Sequence, residues 1–372
     1  MSNDTGAAIR SEKLARLKPQ ILKAPALRAR RRRIEWMRLS VQLLSLSIVA
    51  RIGIRFVQWT TRLAAGDLSA QRPAGVEGFL PISSLITFRH WVQNGELSRV
   101  HPAGFVILAL AIGSGLLLKK AFCSWICPVG FVSETLATVS QRLFRRRLRA
   151  PRALDWPLRS LKYLLLGFFV YSIFVVMSAP EVAAFLNSPY NRMADVKMML
   201  FFAHITGFAL KVLAALVLLS IVLPYFWCRY LCPYGALLGL VSLASPLKIT
   251  RTASNCIDCG LCARACPAHV AVDRARRVHS DECTACLSCV AACPVPIALQ
   301  VETPPWWRRT VRPAVFAALV LMLFYGGIQV AKLSGYWNTE IRNDEYRRRI
   351  ADIDSPVYHH NQGQTAPDRP GR

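Results

Sequence analysis

Five apolar runs, at about 39–59, 102–118, 162–179, 203–225 and 313–331, interrupt an otherwise polar and basic chain. Each is near the ~20 residues a helix needs to cross a bilayer core, the second and third being on the short side. The pattern predicts five membrane helices. The first run follows 38 residues of basic chain and contains Arg51 and Arg55, which reads as a retained anchor rather than a cleaved leader. The second and fourth runs end alike, in Phe122-Cys123-Ser-Trp-Ile-Cys127-Pro128 and Trp227-Cys228-Arg-Tyr-Leu-Cys232-Pro233. Runs one and two, and runs three and four, therefore read as two copies of a helical hairpin in parallel repeat. That relation would bring the two C-x3-C-P motifs together.

The chain has 372 residues, is 53% hydrophobic, and carries 47 Lys and Arg against 21 Asp and Glu. A net charge of +26 on so apolar a chain fits membrane spans joined by basic loops better than nucleic-acid binding, and no nucleic-acid partner is expected. The charge is unevenly spread. The segment before the first run holds 11 basic residues against 3 acidic, Lys119 to Lys162 holds 10 against 2, and Tyr225 to Arg312 holds 10 against 5. The other three segments, two between runs and the tail, are near balance. Basic segments stay inside, so the N-terminus is expected in the cytoplasm and the tail beyond Lys332 outside, in a multi-pass protein of a bacterial inner membrane. The basic runs Arg30–Arg33 and Arg145–Arg147 read as topology determinants touching anionic headgroups.

All twelve cysteines fall in tight groups, unlike a disulfide scaffold. Eight form a doubled run: Cys256-x2-Cys259-x2-Cys262-x3-Cys266-Pro, then Cys283-x2-Cys286-x2-Cys289-x3-Cys293-Pro. This is the bacterial two-cluster ferredoxin pattern, in which the cysteine before proline ligates the other [4Fe–4S] cube. The pattern assigns Cys256, Cys259, Cys262 and Cys293 to one cube, and Cys283, Cys286, Cys289 and Cys266 to the other. Zinc also takes C-x2-C pairs, but eight thiols in this doubled format fit iron–sulfur better. Cys123, Cys127, Cys228 and Cys232 form a candidate further metal or cluster site, the alternative being structural thiols or a redox dithiol. The predicted fold is thus predominantly α: a polytopic membrane protein with an inserted small α+β ferredoxin domain. Its parts are a basic segment 1–38, a four-helix membrane domain 39–248, the ferredoxin domain 249–303, a fifth helix 313–331 and a tail 332–372.

These motifs together, with Gly78-Phe-Leu-Pro-Ile-Ser and His101-Pro-Ala-Gly104, resemble the membrane polyferredoxin family that includes NapH, YccM and the C-terminal half of NosR. The resemblance runs from about Trp36 to Lys332. It implies an electron-transfer protein working between a quinol or cytoplasmic donor and a respiratory redox partner. The cluster pattern is also similar to CcoG, which implies the alternative of copper reduction or cofactor assembly; a cluster-based redox regulator is a third class. No flavin is expected. The chain shows no Gly-rich nucleotide loop, Walker motif or nucleophile–base constellation, so intrinsic chemistry on an organic substrate is not expected.

Weaker candidates remain. His101 and His204 hold near-equivalent places in the repeat, where paired histidines could ligate haem or meet a quinone headgroup; the plainer reading is two interfacial histidines. Arg51, Arg55 and Lys211 lie within apolar runs, with Asp195 or Glu181 as possible partners, and their long side chains can snorkel. The polar tail, with His359 and His360, is expected to be loosely ordered.

Overall fold

A computed structural model describes residues 15–358 except 146, 147 and 149; the His359–His360 pair lies outside the described residues. The chain is mostly helical and divides into two compact units, one of 1–46, 112–132 and 235–324, the other of 47–111, 133–234 and 325–372.

Three helices are long and apolar enough to cross a membrane: Ala24–Ala64, Ala153–Val176 and Pro313–Leu333. Only 17–22% of their apolar windows is buried. The rest presents side chains such as Leu164, Phe168, Val175 and Met322 outward, as a lipid-facing surface does. The other two expected spans look different. The run at 102–118 forms a helix, Pro102–Leu118, of 17 residues. The run at 203–225 is broken: Ala194–Ala203 and Gly207–Val222 meet at 83°. The break has a local cause, since the Thr206 hydroxyl accepts from the Ala209 N–H and starts a new helix.

In the first unit, strand β1 (Lys248–Arg251) pairs antiparallel with β2 (Leu299–Glu302), Lys248 opposite Glu302 and Arg251 opposite Leu299. Strand β3 (Thr310–Val311) adds to β2. Ile249, Leu299 and Val301 are buried, with Val272, Val278 and Val290 completing a small core. The sheet brings the two ends of the cysteine-rich segment together. Between them, the five-residue helices Leu261–Ala265 and Ser288–Ala292 are the two copies of one element.

The second unit packs Phe56, Trp59 and Leu63 against Met193 and Val196. The described part of the tail, to Tyr358, joins this core, contrary to the expectation of loose order there. Residues Asn343–Ala351 form a helix, Tyr346 is fully buried, and its ring meets Trp59 edge-on at 4.9 Å. One aromatic and two aliphatic anchors (Ile341, Ile350 and Tyr358) were too widely spaced in a polar sequence to read as an apolar face. Arg192 forks onto Glu345 of that helix at 2.8 and 2.9 Å. Arg72 donates to Asp195 at 2.9 and 2.6 Å and to Glu77 at 2.7 Å. Tyr346 donates its hydroxyl to Asp195 at 3.2 Å. Burial pulls the Arg72 pKa down, but the neighbouring Tyr346, Asp195 and Glu77 more than reverse it.

The two short phrases read as family marks meet here. Glu77, just before Gly78, accepts from the Gly104 N–H at 3.2 Å. A Cβ on Gly104 would stand 2.7 Å from the Ser84 hydroxyl and 3.0 Å from the Glu77 carbonyl, so glycine permits that approach.

Candidate metal centre

The two cysteine copies share one backbone device. Positive φ occurs at Asp258 (53°) and Gly260 (67°) in the first, and at Ala285 (50°) and Leu287 (61°) in the second. Left-handed backbone at a residue with a Cβ costs roughly 1–2 kcal/mol, and such outliers gather where a ligand repays them. Alternating left- and right-handed residues turn successive N–H groups into one concavity, the nest geometry of many Fe–S sites. Gly260, on the wall of a cavity it shares with Cys259 and Cys262, takes the left-handed conformation without the strain a Cβ would bring.

One cavity is lined by Cys256, Cys259, Cys262 and Cys293, with Arg251 and Asp273 among its other walls. The first three come from one copy and the fourth from the other. The second set is also drawn together: Cys266 feels Cys286 and Cys283, and Cys289 feels Cys286, Cys283, Cys266 and Cys262 electrostatically. No disulfide joins any of the twelve cysteines. Among the described residues, no three His, Cys, Asp or Glu side chains converge closely enough to hold one metal ion. A single zinc would draw its sulfurs to about 4 Å apart, given ~2.3 Å Zn–S bonds. Four thiols from both copies around one cavity match the ligand number and crossing of a [4Fe–4S] site.

Burial raises the thiol pKa values. Cys262 is pushed up to about 11 and Cys266 to about 12; Cys283, Cys289 and Cys293 rise for the same reason. Metal binding must therefore displace protons. Cations stand close by. Arg251 stands beside Cys256, whose sulfur helps raise the guanidinium pKa, and pairs with Asp258 at 3.2 Å. Lys119, buried and donating to the Ser280 carbonyl at 2.9 Å, is lowered by that burial to about 8 against the pull of Cys283.

The C-x3-C-P motifs also match in backbone. In one, the Cys127 N–H donates to Phe122 O at 2.9 Å; in the other, Cys232 N–H donates to Trp227 O at 2.9 Å. Both are five-residue π-type bonds, a turn frequent at functional sites. Proline does not merely end these turns: Pro128 and Pro233 open the next helices, where a missing N–H costs nothing. Gly130 is essential to the first motif, because a Cβ there would fall 1.9 Å from the Cys123 carbonyl oxygen. In the second, the Cys228 sulfur lies 3.2 Å from the Ser133 hydroxyl. Arg229 forks onto Asp155 at 3.0 and 2.9 Å, and Tyr230 donates to Asp155 at 2.7 Å. Asp155 was missed in the sequence; its only signal is being one of two acids in a loop with ten basic residues.

The weaker candidates separate. His101 is buried and its Nε2–H donates to the Asn191 carbonyl at 2.6 Å, leaving that nitrogen no free pair for a metal. His204 is exposed at the helix break. Arg51, Arg55 and Lys211 are exposed. Their suggested partners are engaged elsewhere, Asp195 with Arg72 and Glu181 in a cap with Ser178.

The same stretches of sequence are similar to known proteins. The "4Fe-4S binding domain" family matches two stretches, 100–151 and 205–251, one over each C-x3-C-P motif. The "4Fe-4S dicluster domain" family matches 248–294. These matches, with apolar helices beside clustered thiols, define a membrane-associated iron–sulfur protein of electron transfer. YccM of Escherichia coli, provisionally named for electron transport, is 41% identical over 319 residues, 84% of this chain and 89% of YccM. The chain belongs to that membrane polyferredoxin-type family. MauN of Methylobacillus flagellatus, named as a ferredoxin-type protein of methylamine utilization, is 28% identical over 250 residues, 65% of this chain and 79% of MauN. NirI of Paracoccus denitrificans is 30% identical over 215 residues, but these make up only 30% of NirI. No solved structure matches the chain.

Proposed function

We propose that the protein passes single electrons between a quinol or cytoplasmic donor and a respiratory redox partner. Two [4Fe–4S] clusters, each a one-electron site when bound, would be held by Cys256, Cys259, Cys262 and Cys293, and by Cys283, Cys286, Cys289 and Cys266. The observation that carries this reading is the cavity walled by three cysteines of one copy and one of the other. The repeated left-handed residues support it, since that backbone forms nests of N–H groups. Cys123 and Cys127, and Cys228 and Cys232, are candidate ligands for further metal, each pair carried by the same π-type turn. The charge asymmetry supports a cytoplasmic N-terminus and ferredoxin domain. With that orientation, the short Pro102–Leu118 helix and the bent pair supply two crossings beside the three long helices.

Membranes titrated with menaquinol or ubiquinol, with EPR following the clusters, test the donor. Quinol-dependent reduction supports the reading; reduction only by a soluble cytoplasmic donor removes quinol as the entry point. Purified oxygen-protected protein without iron and acid-labile sulfide overturns the whole proposal. Iron unchanged by Cys123→Ser and Cys228→Ser removes the further centre.

A further inference from the structure

The N-terminal basic segment has a second use. It docks along the ferredoxin insert within the first unit. Leu17 is 1% exposed, the Leu22 N–H donates to the Pro294 carbonyl at 2.8 Å, and Arg16 donates to the Ser254 carbonyl at 3.1 Å. The Ala24–Ala64 helix then lays two guanidiniums on the cysteine backbone. Arg30 donates to the Cys293 carbonyl at 2.9 Å. Arg38 donates to the Cys286 carbonyl at 3.2 Å and lies 3.4 Å from the Ser288 hydroxyl. Eight residues span about 12 Å of helix, so one rigid element reaches both halves of the repeat. The arginines between them do not share this role: Arg31 pairs with Glu35, and Arg32 and Arg33 are exposed.

We infer that this arm sets the reduction potentials of the two clusters, Arg30 acting on the one held by Cys293 and Arg38 on the one held by Cys286. The inference rests on the ligand assignment proposed above. A cube with four thiolates carries charge −2 oxidised and −3 reduced. One electron enters from the donor, and no bond or proton moves. A guanidinium remains charged and attracts the reduced form more strongly, and charge and hydrogen bonding are the established controls on such potentials. Both arginines are positioning residues, since they touch the ligands' backbone rather than the sulfurs.

The test uses full-length, oxygen-protected protein titrated with dithionite and followed by EPR. Arg30→Gln and Arg38→Gln are compared with Arg32→Gln, an exposed neighbour on the same helix. Iron and sulfide should stay at the unsubstituted level. Each variant should lower a different reduction wave, by about tenfold in its equilibrium constant or 59 mV for a one-electron couple. Arg30→Lys and Arg38→Lys, which keep the charge, should restore most of each shift. Waves that move no further than in Arg32→Gln, with iron intact, overturn the inference, as does one wave moving in both variants. Should one glutamine variant lose iron, the other and both lysine variants still decide. Absence of iron from the unsubstituted protein instead sinks the ligand assignment.

Discussion

Replacing Arg72 by leucine should destabilise the second unit more than any surface substitution. The side chain is 6% exposed, and its partners Glu77 and Asp195 are both at 0%. Removing the cation leaves two buried carboxylates without a counter-charge. At an effective dielectric of 20, charges about 4 Å apart attract by roughly 4 kcal/mol. Breaking one buried pair by removing a partner costs about 3–5 kcal/mol. For a unit of this size each kcal/mol moves Tm by about 2–4 °C, so Arg72→Leu should lower it by about 6–20 °C. Thermal unfolding in detergent, read by intrinsic fluorescence, measures the shift. Limited proteolysis should cut near 337–358 first, because Tyr346 anchors the tail to Asp195. Adding Asp195→Asn to Arg72→Leu should recover part of the loss by removing one stranded charge. A Tm within 2 °C of the parent, with the tail still protected, would refute the reasoning.

Three further outcomes follow from the same geometry. Gly130→Ala should displace the first C-x3-C-P turn, since its Cβ meets a backbone oxygen at 1.9 Å, whereas Gly113→Ala, facing open space, should be neutral; thermal stability and iron content measured together check this. Cys293→Ser should remove the cluster shared with Cys256, Cys259 and Cys262 and leave the other, so iron should fall by about one cube's worth while EPR retains the second cluster. Metal-free protein should keep constant stability of its ferredoxin insert below pH about 9 and lose it toward pH 11–12. The reason is that unfolded thiols ionise near 9 while Cys262 and Cys266 stay protonated to about 11 and about 12. Melting curves across that range that stay flat would contradict the burial argument.

What the sequence alone determined about this protein is what local spacing encodes. The doubled cysteine run needs only twelve consecutive positions per copy, and the repeated left-handed residues follow from wrapping so short a loop around a cavity. The long apolar runs were equally legible, because a membrane helix satisfies its backbone hydrogen bonds within itself. The paired π-type turns were visible as sequence identity, though not as geometry. Tertiary structure alone decided where charged side chains find their partners. Arg30 and Cys293 are 263 residues apart, Arg72 and Asp195 123, and Arg229 and Asp155 74. No periodicity marks such pairs, because a long-range contact depends on where two elements pack and not on the spacing within either. The break at His204–Thr206 and the burial of Tyr346 belong to the same class. A polar residue becomes a cap or an anchor only once its neighbours have folded around it.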